Sequence, residues 1–198
     1  MSILLEEMFP GSTFGPNCKV SARSTLIDCI LGEEVTIEDD CFLEKVIIGN
    51  FVKIGTDCTI QDGVRICNDT IIKNNVHIEN DAYIGEKIKI EARVEIPASA
   101  NIIENIPVGW RCNVGRISTN PYNIYVGGPT LISIGCEIHS IFEWLDNYIP
   151  IGLRHHLSYD NIERYHHYLL ALNAELKLYN YHYGFLEKEY ANNPIKII

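Results

Sequence analysis

Residues 48–114 read IGN FVKIGTDCTI QDGVRICNDT IIKNNVHIEN DAYIGEKIKI EARVEIPASA NIIENIPVGW RCNV, and one count along them decides the fold. Steps of six from Ile48 land on Ile54, Ile60, Ile66, Ile72, Ile78, Ile84, Ile90, Ile96, Ile102, Val108 and Val114, with no polar residue among them. A period of six fits neither an amphipathic helix nor a single alternating strand, so it points to a repeat architecture. Four residues after each aliphatic stand mostly small or β-branched residues: Val52, Cys58, Val64, Thr70, Val76, Ala82, Ile88, Val94 and Ala100. Just after the aliphatic come Gly49, Gly55, Glu79, Gly85, Glu91, Gly109 and Gly115, residue types that suit tight corners.

Three hexads make one triangular coil of 18 residues with a short strand on each side. Equivalent aliphatics then stack in three columns. Ile48, Ile66, Ile84 and Ile102 form one; Ile54, Ile72, Ile90 and Val108 a second; Ile60, Ile78, Ile96 and Val114 the third. Coils at about 4.8 Å satisfy each other's backbone groups, and a core exists only once they stack.

This pattern resembles the left-handed parallel β-helix of the hexapeptide-repeat proteins, best known as acyltransferases. The resemblance implies the handedness and a homotrimer, with a higher oligomer open, whose ligands sit in grooves between subunits. The expected class is an all-β solenoid with a C-terminal α-helical extension. One fold hosts many activities, so this does not decide function.

Working outward, residues 1–17 read as an irregular lead-in and cap, and 18–119 as the β-helix. Its early part is a looser ladder of Val20, Leu26, Leu31, Ile37 and Leu43. Beyond Arg116 the turn signal Asn120-Pro121-Tyr122-Asn123 interrupts the count. Residues 120–140 are therefore a further coil or a hairpin across that turn, the hairpin being favoured. Residues 141–198 form a helical extension and tail. Ile162, Tyr165, Leu169, Leu172, Leu176 and Tyr179 make one apolar helix seam. Asp160 with Glu163, or Ser158, would cap its start. Tyr181, Tyr183 and Pro194–Ile198 are apolar or aromatic and suit packing against a neighbour.

Composition narrows the classes. No apolar run approaches 18 residues and no basic-then-apolar leader opens the chain, so a soluble cytoplasmic protein without membrane association is expected. Seven cysteines without framework spacing suggest reduced thiols, with Cys58, Cys112 and Cys136 filling inward slots. A net charge of −10 argues against general nucleic-acid binding. It leaves room for a local basic pocket drawn from Arg111, Arg116 and Arg154.

Three stretches carry functional resemblances. Pro97–Ile117 is similar to the last coils of sugar acetyltransferases, which hold the pantetheine arm of acetyl-CoA. The match runs through Ile106-Pro107, but Cys112-Asn113-Val114-Gly115 replaces the Gly-x-Pro-Ala turn. Ile66–Ile78 resembles the active-site coil of sialic-acid and bacillosamine pathway acetyltransferases. Asp69 and His77 match it, while Asn68 stands where the catalytic histidine belongs, and an amide cannot act as a general base. Residues 134–144, with Gly135-Cys136, Ser140, Glu143 and Trp144, resemble repeat proteins common in phages and prophages. Were the source a phage, the compartment would be the bacterial host cytoplasm.

The leading expectation is a non-catalytic trimer that binds or sequesters a small, nucleotide-like ligand at subunit grooves, without a cofactor. Asn68, Asp69, His77, Arg111 and Arg116 are its candidate contacts. The alternative is an acetyl-CoA-dependent acyltransferase on a sugar nucleotide or amine, with His77 or His139 as base and Asp69 or Asp81 in support. His139 beside Ser140 also suits a helix N-terminus. A structural or assembly protein is the third. Metal binding is not expected. The pairs His155-His156 and His166-His167 diverge by about 100° on a helix. Gamma-class carbonic anhydrases, which share this solenoid, use three histidines for zinc.

Overall fold

The computed structural model describes residues 2–181, with side chains over 5–177; Tyr183 and Pro194–Ile198 lie outside it, as do the side chains of Tyr179 and Tyr181. Helix α1 (Ser2–Met8) leads into strands β1 (Thr13–Phe14) to β16 (Asn101–Ile102), each two or three residues long. They stack as three parallel sheets of six, five and five strands, the sides of a triangular prism. Ile48, Ile66, Ile84 and Ile102 lie in register on one side, Ile54, Ile72 and Ile90 on the second, and Ile60, Ile78 and Ile96 on the third. The looser early ladder is in register too, and the first side begins before residue 18, with Thr13 on Ile30.

Two hydrogen-bond directions hold the coils together. Strand N–H groups donate forward, as Arg65 does to the Ala82 carbonyl at 3.0 Å and His77 to that of Val94 at 2.9 Å. Corner residues donate backward: Asp57, Asp69, Asp81, Lys87 and Ser99 sit at φ between 52° and 61° and reach the preceding coil. A left-handed conformation costs an L-residue about 1–2 kcal/mol, offset here by the inter-coil bonds.

The inward slots do more than fill space. The thiols of Cys18, Cys41 and Cys58 donate to the carbonyls of Gly32, Gly55 and Lys73 at 3.0, 2.9 and 3.1 Å. Thr70 Oγ1 makes the same bond to Gly85 at 2.9 Å. All seven cysteines are free thiols. Contrary to expectation, Cys136 is exposed, on the turn after Gly135.

The six-residue count fails after Ile102. Ile90 pairs with Ile106 and not with Val108, which is 38% exposed. Glu95 pairs with Arg111, so Cys112 and not Val114 continues the third column. The cause is Ile103-Glu104: Ile103 N–H donates to the Gly127 carbonyl at 2.9 Å, drawing the chain off the prism early. Trp110, 1% exposed, follows Val94 in the inward slot and plugs the end.

The segment 120–140 is not another coil; the favoured hairpin across Asn120-Pro121 is present and is extended by two further strands. β17 (Arg116–Ile117), β18 (Ile124–Val126), β19 (Leu131–Ile134) and β20 (Glu137–Ser140) form an antiparallel meander. Glu104 pins it, accepting from Thr130 N, Leu131 N and the Thr130 hydroxyl at 2.8, 2.9 and 3.1 Å. Helices α2 (Ile141–Arg154) and α3 (Tyr159–Tyr181) follow.

Ser140 and Glu143 make the capping box, at α2; α3 is capped by Ser158, whose Oγ accepts from Asn161 N at 3.3 Å, not by Asp160 with Glu163. The seam residues Ile162, Tyr165, Leu169, Leu172 and Leu176 are buried within the chain, so their burial needs no partner subunit. No helix among the described residues is long and apolar enough to cross a membrane.

Candidate functional site

A side chain one position before an inward aliphatic points outward, and on the first side that column runs Ile30, Ile47, Arg65, Tyr83, Asn101. At its far end the meander folds back over the prism. Gly115 makes that approach possible: a Cβ there would collide with the Ala98 carbonyl oxygen and lie 2.7 Å from the Ala100 nitrogen. The close pass sets Arg116 beside the column, and Val126 N–H fixes it by donating to the Gly115 carbonyl at 2.9 Å.

The result is an open cleft of about 570 Å³, continuous with solvent and lined by Asp81, Tyr83, Ser99, Asn101, Arg116 and Tyr125. The Arg116 guanidinium carbon lies 5.6 Å from the centre of the Tyr125 ring, within cation–π range. Tyr83 is 42% exposed, and its hydroxyl accepts from the Cys67 thiol at 3.0 Å. Chemically the cleft offers a cation, two aromatic faces, an amide, a hydroxyl and one carboxylate.

The other candidate residues fall elsewhere. Asn68 and Asp69 form a corner between the first and second sides, where Asn68 Oδ1 accepts from Asn50 N at 2.8 Å. Asn50 and Asn74 make equivalent bonds to Glu33 and Thr56 N at 3.0 and 3.2 Å, while Asn105 accepts from the strand N–H of Lys89 at 2.7 Å. Asn68 is thus one of three asparagine corner staples.

His77 stands on the third side with Glu95 and Arg111 in register beyond it. Arg111 pairs with Glu95 at 2.9 Å, and the Gln61 amide nitrogen lies 3.3 Å from His77 Nε2. With the amide donating, that imidazole nitrogen is an unprotonated acceptor already in use. Asp69 is exposed at its corner and Asp81 lies in the first-side cleft, while the side-chain partner of His77 is Gln61.

His139 does not cap α2. Its Nε2 lies 3.0 Å from Glu137, and its ring sits edge-on to Trp144 at 5.0 Å. Glu137 also binds Arg154 at 2.7 Å and His155 Nε2 at 2.8 Å, and these partners, His155 foremost, pull its pKa down to about 2. Arg111, Arg116 and Arg154, the candidates for a basic pocket, do not converge within the chain. The three occupy separate places, two of them engaged by carboxylates. His166 stacks on Tyr148 at 4.1 Å. No group of three His, Cys, Asp or Glu among the described residues could hold a metal ion.

Sequence reading missed Tyr83, Ser99, Asn101 and Tyr125. The outward direction of Tyr83 was available from its place before Ile84; the meander that completes the cleft was not.

No protein-family model and no curated protein matches the chain. Among solved structures it is similar to the acetyltransferase domain of PglB from Neisseria gonorrhoeae, at 18% identity and a TM-score of 0.38, over 57% of this chain and 53% of that one. The same domain in complex with acetyl coenzyme A matches at 19% and 0.28, over 52% and 54%. The UDP-N-acetylglucosamine acyltransferase from Campylobacter jejuni matches at 13% and 0.22, over 79% and 78%. The chain spans about half the length of the PglB domain.

Proposed function

We propose that this solenoid is a binding protein that takes a small, anionic, nucleotide-like molecule into the cleft of Tyr83, Asn101, Arg116 and Tyr125. The observation that carries the reading is Arg116, held over the Tyr125 ring in the same cleft as Tyr83. An anion meets the guanidinium there while an aromatic ring finds a tyrosine face. Ser99 and Asn101 supply polar contacts that orient a ligand, as small-molecule sites require. Asn68, Asp69, His77 and Arg111 leave this first contact set, because they lie on other sides of the prism.

A non-catalytic role is supported by the roles already occupied. Asn68 staples a corner, and the His77 lone pair is taken up by Gln61. Titration calorimetry with AMP, GMP and UMP tests the reading. Binding is expected, weakened about tenfold or more by Arg116→Ala through loss of a charge-assisted contact. Absence of heat across the panel removes it.

Acyl transfer from acetyl-CoA is the second reading, favoured by His77 lying in register with Glu95, a carboxylate that could orient an imidazole. A thiol-release assay with acetyl-CoA decides. Turnover abolished by His77→Ala or His139→Ala would replace the binding role. A homotrimer belongs to both readings and is checked by sedimentation. A large heteromeric assembly would favour a structural protein instead.

A further inference from the structure

The column that carries Tyr83 does not end at the cleft. Arg65 stands one coil before Tyr83 in register, exposed, on the same outward face. Among the described residues it has no salt bridge, whereas Arg111 and Arg154 each hold a carboxylate. Tyr83 is thus bracketed along the prism axis: Arg65 on one side, Asn101 and then Arg116 of the cleft on the other. At about 4.8 Å per coil, Arg65 and Asn101 are about 10 Å apart.

Resting on the binding role proposed above, we infer that Arg65 and Arg116 together select a ligand with two separate phosphate groups and an aromatic base carried on the sugar between them, the class of a linear dinucleotide. A mononucleotide carries a phosphate for only one of the two cations. A dinucleotide places one base on Tyr83, one phosphate at Arg116 and the other toward Arg65. Asp81, in the same cleft as Arg116, accepts a hydrogen bond from an exocyclic amine or a ribose hydroxyl, which favours a nucleotide over inorganic phosphate. Asp81 and Ser99 of the lining sit in left-handed corners whose N–H groups bond the preceding coil, which fixes their backbone.

The test is calorimetry with AMP and with 5′-phosphorylated adenylyl-(3′→5′)-adenosine, on the full chain and on Arg65→Ala and Arg116→Ala. Arg65 is exposed on a short strand, so its truncation leaves the core untouched, which circular dichroism checks. The dinucleotide is expected to bind about tenfold or more tighter than AMP. Arg65→Ala removes that advantage and leaves AMP affinity unchanged, while Arg116→Ala weakens both. Equal affinity for the two ligands in the wild type, or a dinucleotide affinity indifferent to Arg65→Ala, overturns the inference and leaves the binding role standing. Failure of both ligands to bind the wild type overturns the two together.

Discussion

The prism from Thr13 to Ile102 and the cap from Arg116 to Tyr181 hold themselves together in opposite ways. In the prism the backbone and core contacts repeat: an aliphatic column, a forward strand bond, a backward corner bond. In the cap the ties are single. Glu104 gathers the β18–β19 turn, Tyr165 exchanges hydrogen bonds with the Tyr122 backbone at 2.7 and 2.8 Å, and Glu137 collects three basic side chains. Repetition distributes stability over many equivalent positions. Singular ties concentrate it, and the candidate site lies where the two systems meet.

That contrast breaks most visibly if a column tolerates a charge. Ile84→Asp places a carboxylate with no partner at a site that is 0% exposed, and should cost more than about 4 kcal/mol and abolish the cooperative melt by circular dichroism. A wild-type melt would show that the columns do not share their load. Glu104→Ala should act locally. With two backbone donors left unpaired it should cost about 1.5–3 kcal/mol and raise hydrogen exchange across 124–134 while the coils stay protected. Uniform loss of protection would merge the two regions into one cooperative unit.

Gly115→Ala probes the junction itself. The added methyl should cost about 1–3 kcal/mol and weaken nucleotide binding by pushing Arg116 out of the cleft. Unchanged affinity would detach Arg116 from the site. Asn68→Ala should cost only about 1 kcal/mol, because the two other asparagine staples remain, and denaturant midpoints measure it. The gentlest test is acid. The Glu137 pKa is about 2 folded against about 4.3 unfolded, so its contribution is complete above about pH 4.3 and disappears as pH falls toward 2. Glu137→Gln should remove that component from the pH–stability curve. An identical acid limb in wild type and variant would mean the cluster adds nothing to the cap.

The prism was legible because Ile48 to Ile102 report one geometric demand ten times over. It stopped being legible at Ile103. Val108 and Val114 keep the period on paper, yet Ile106 and Cys112 take the column, because Ile103 and Glu104 are claimed by partners more than twenty residues away. No local pattern announces such a tie. The helix seam was readable as a seam, but not that its cover comes from the same chain. Asn68 misled in another manner. Its lack of basicity was plain, while its use as a corner acceptor needed Asn50 one coil away to be seen.

Trp110 and the shortened last coil have a consequence for how such a molecule could grow. Ile106 follows Ile90 by 16 residues where Ile90 follows Ile72 by 18, so the stop sits in one shortened rung and leaves the regular 18-residue rungs between Ile48 and Ile102 interchangeable. Duplicating a whole 18-residue rung in the middle would lengthen the molecule by about 4.8 Å and carry the sealed end along unchanged. The chain behaves as a ruler with a fixed endpiece, its length open to gain or loss without redesign of the part that ends it.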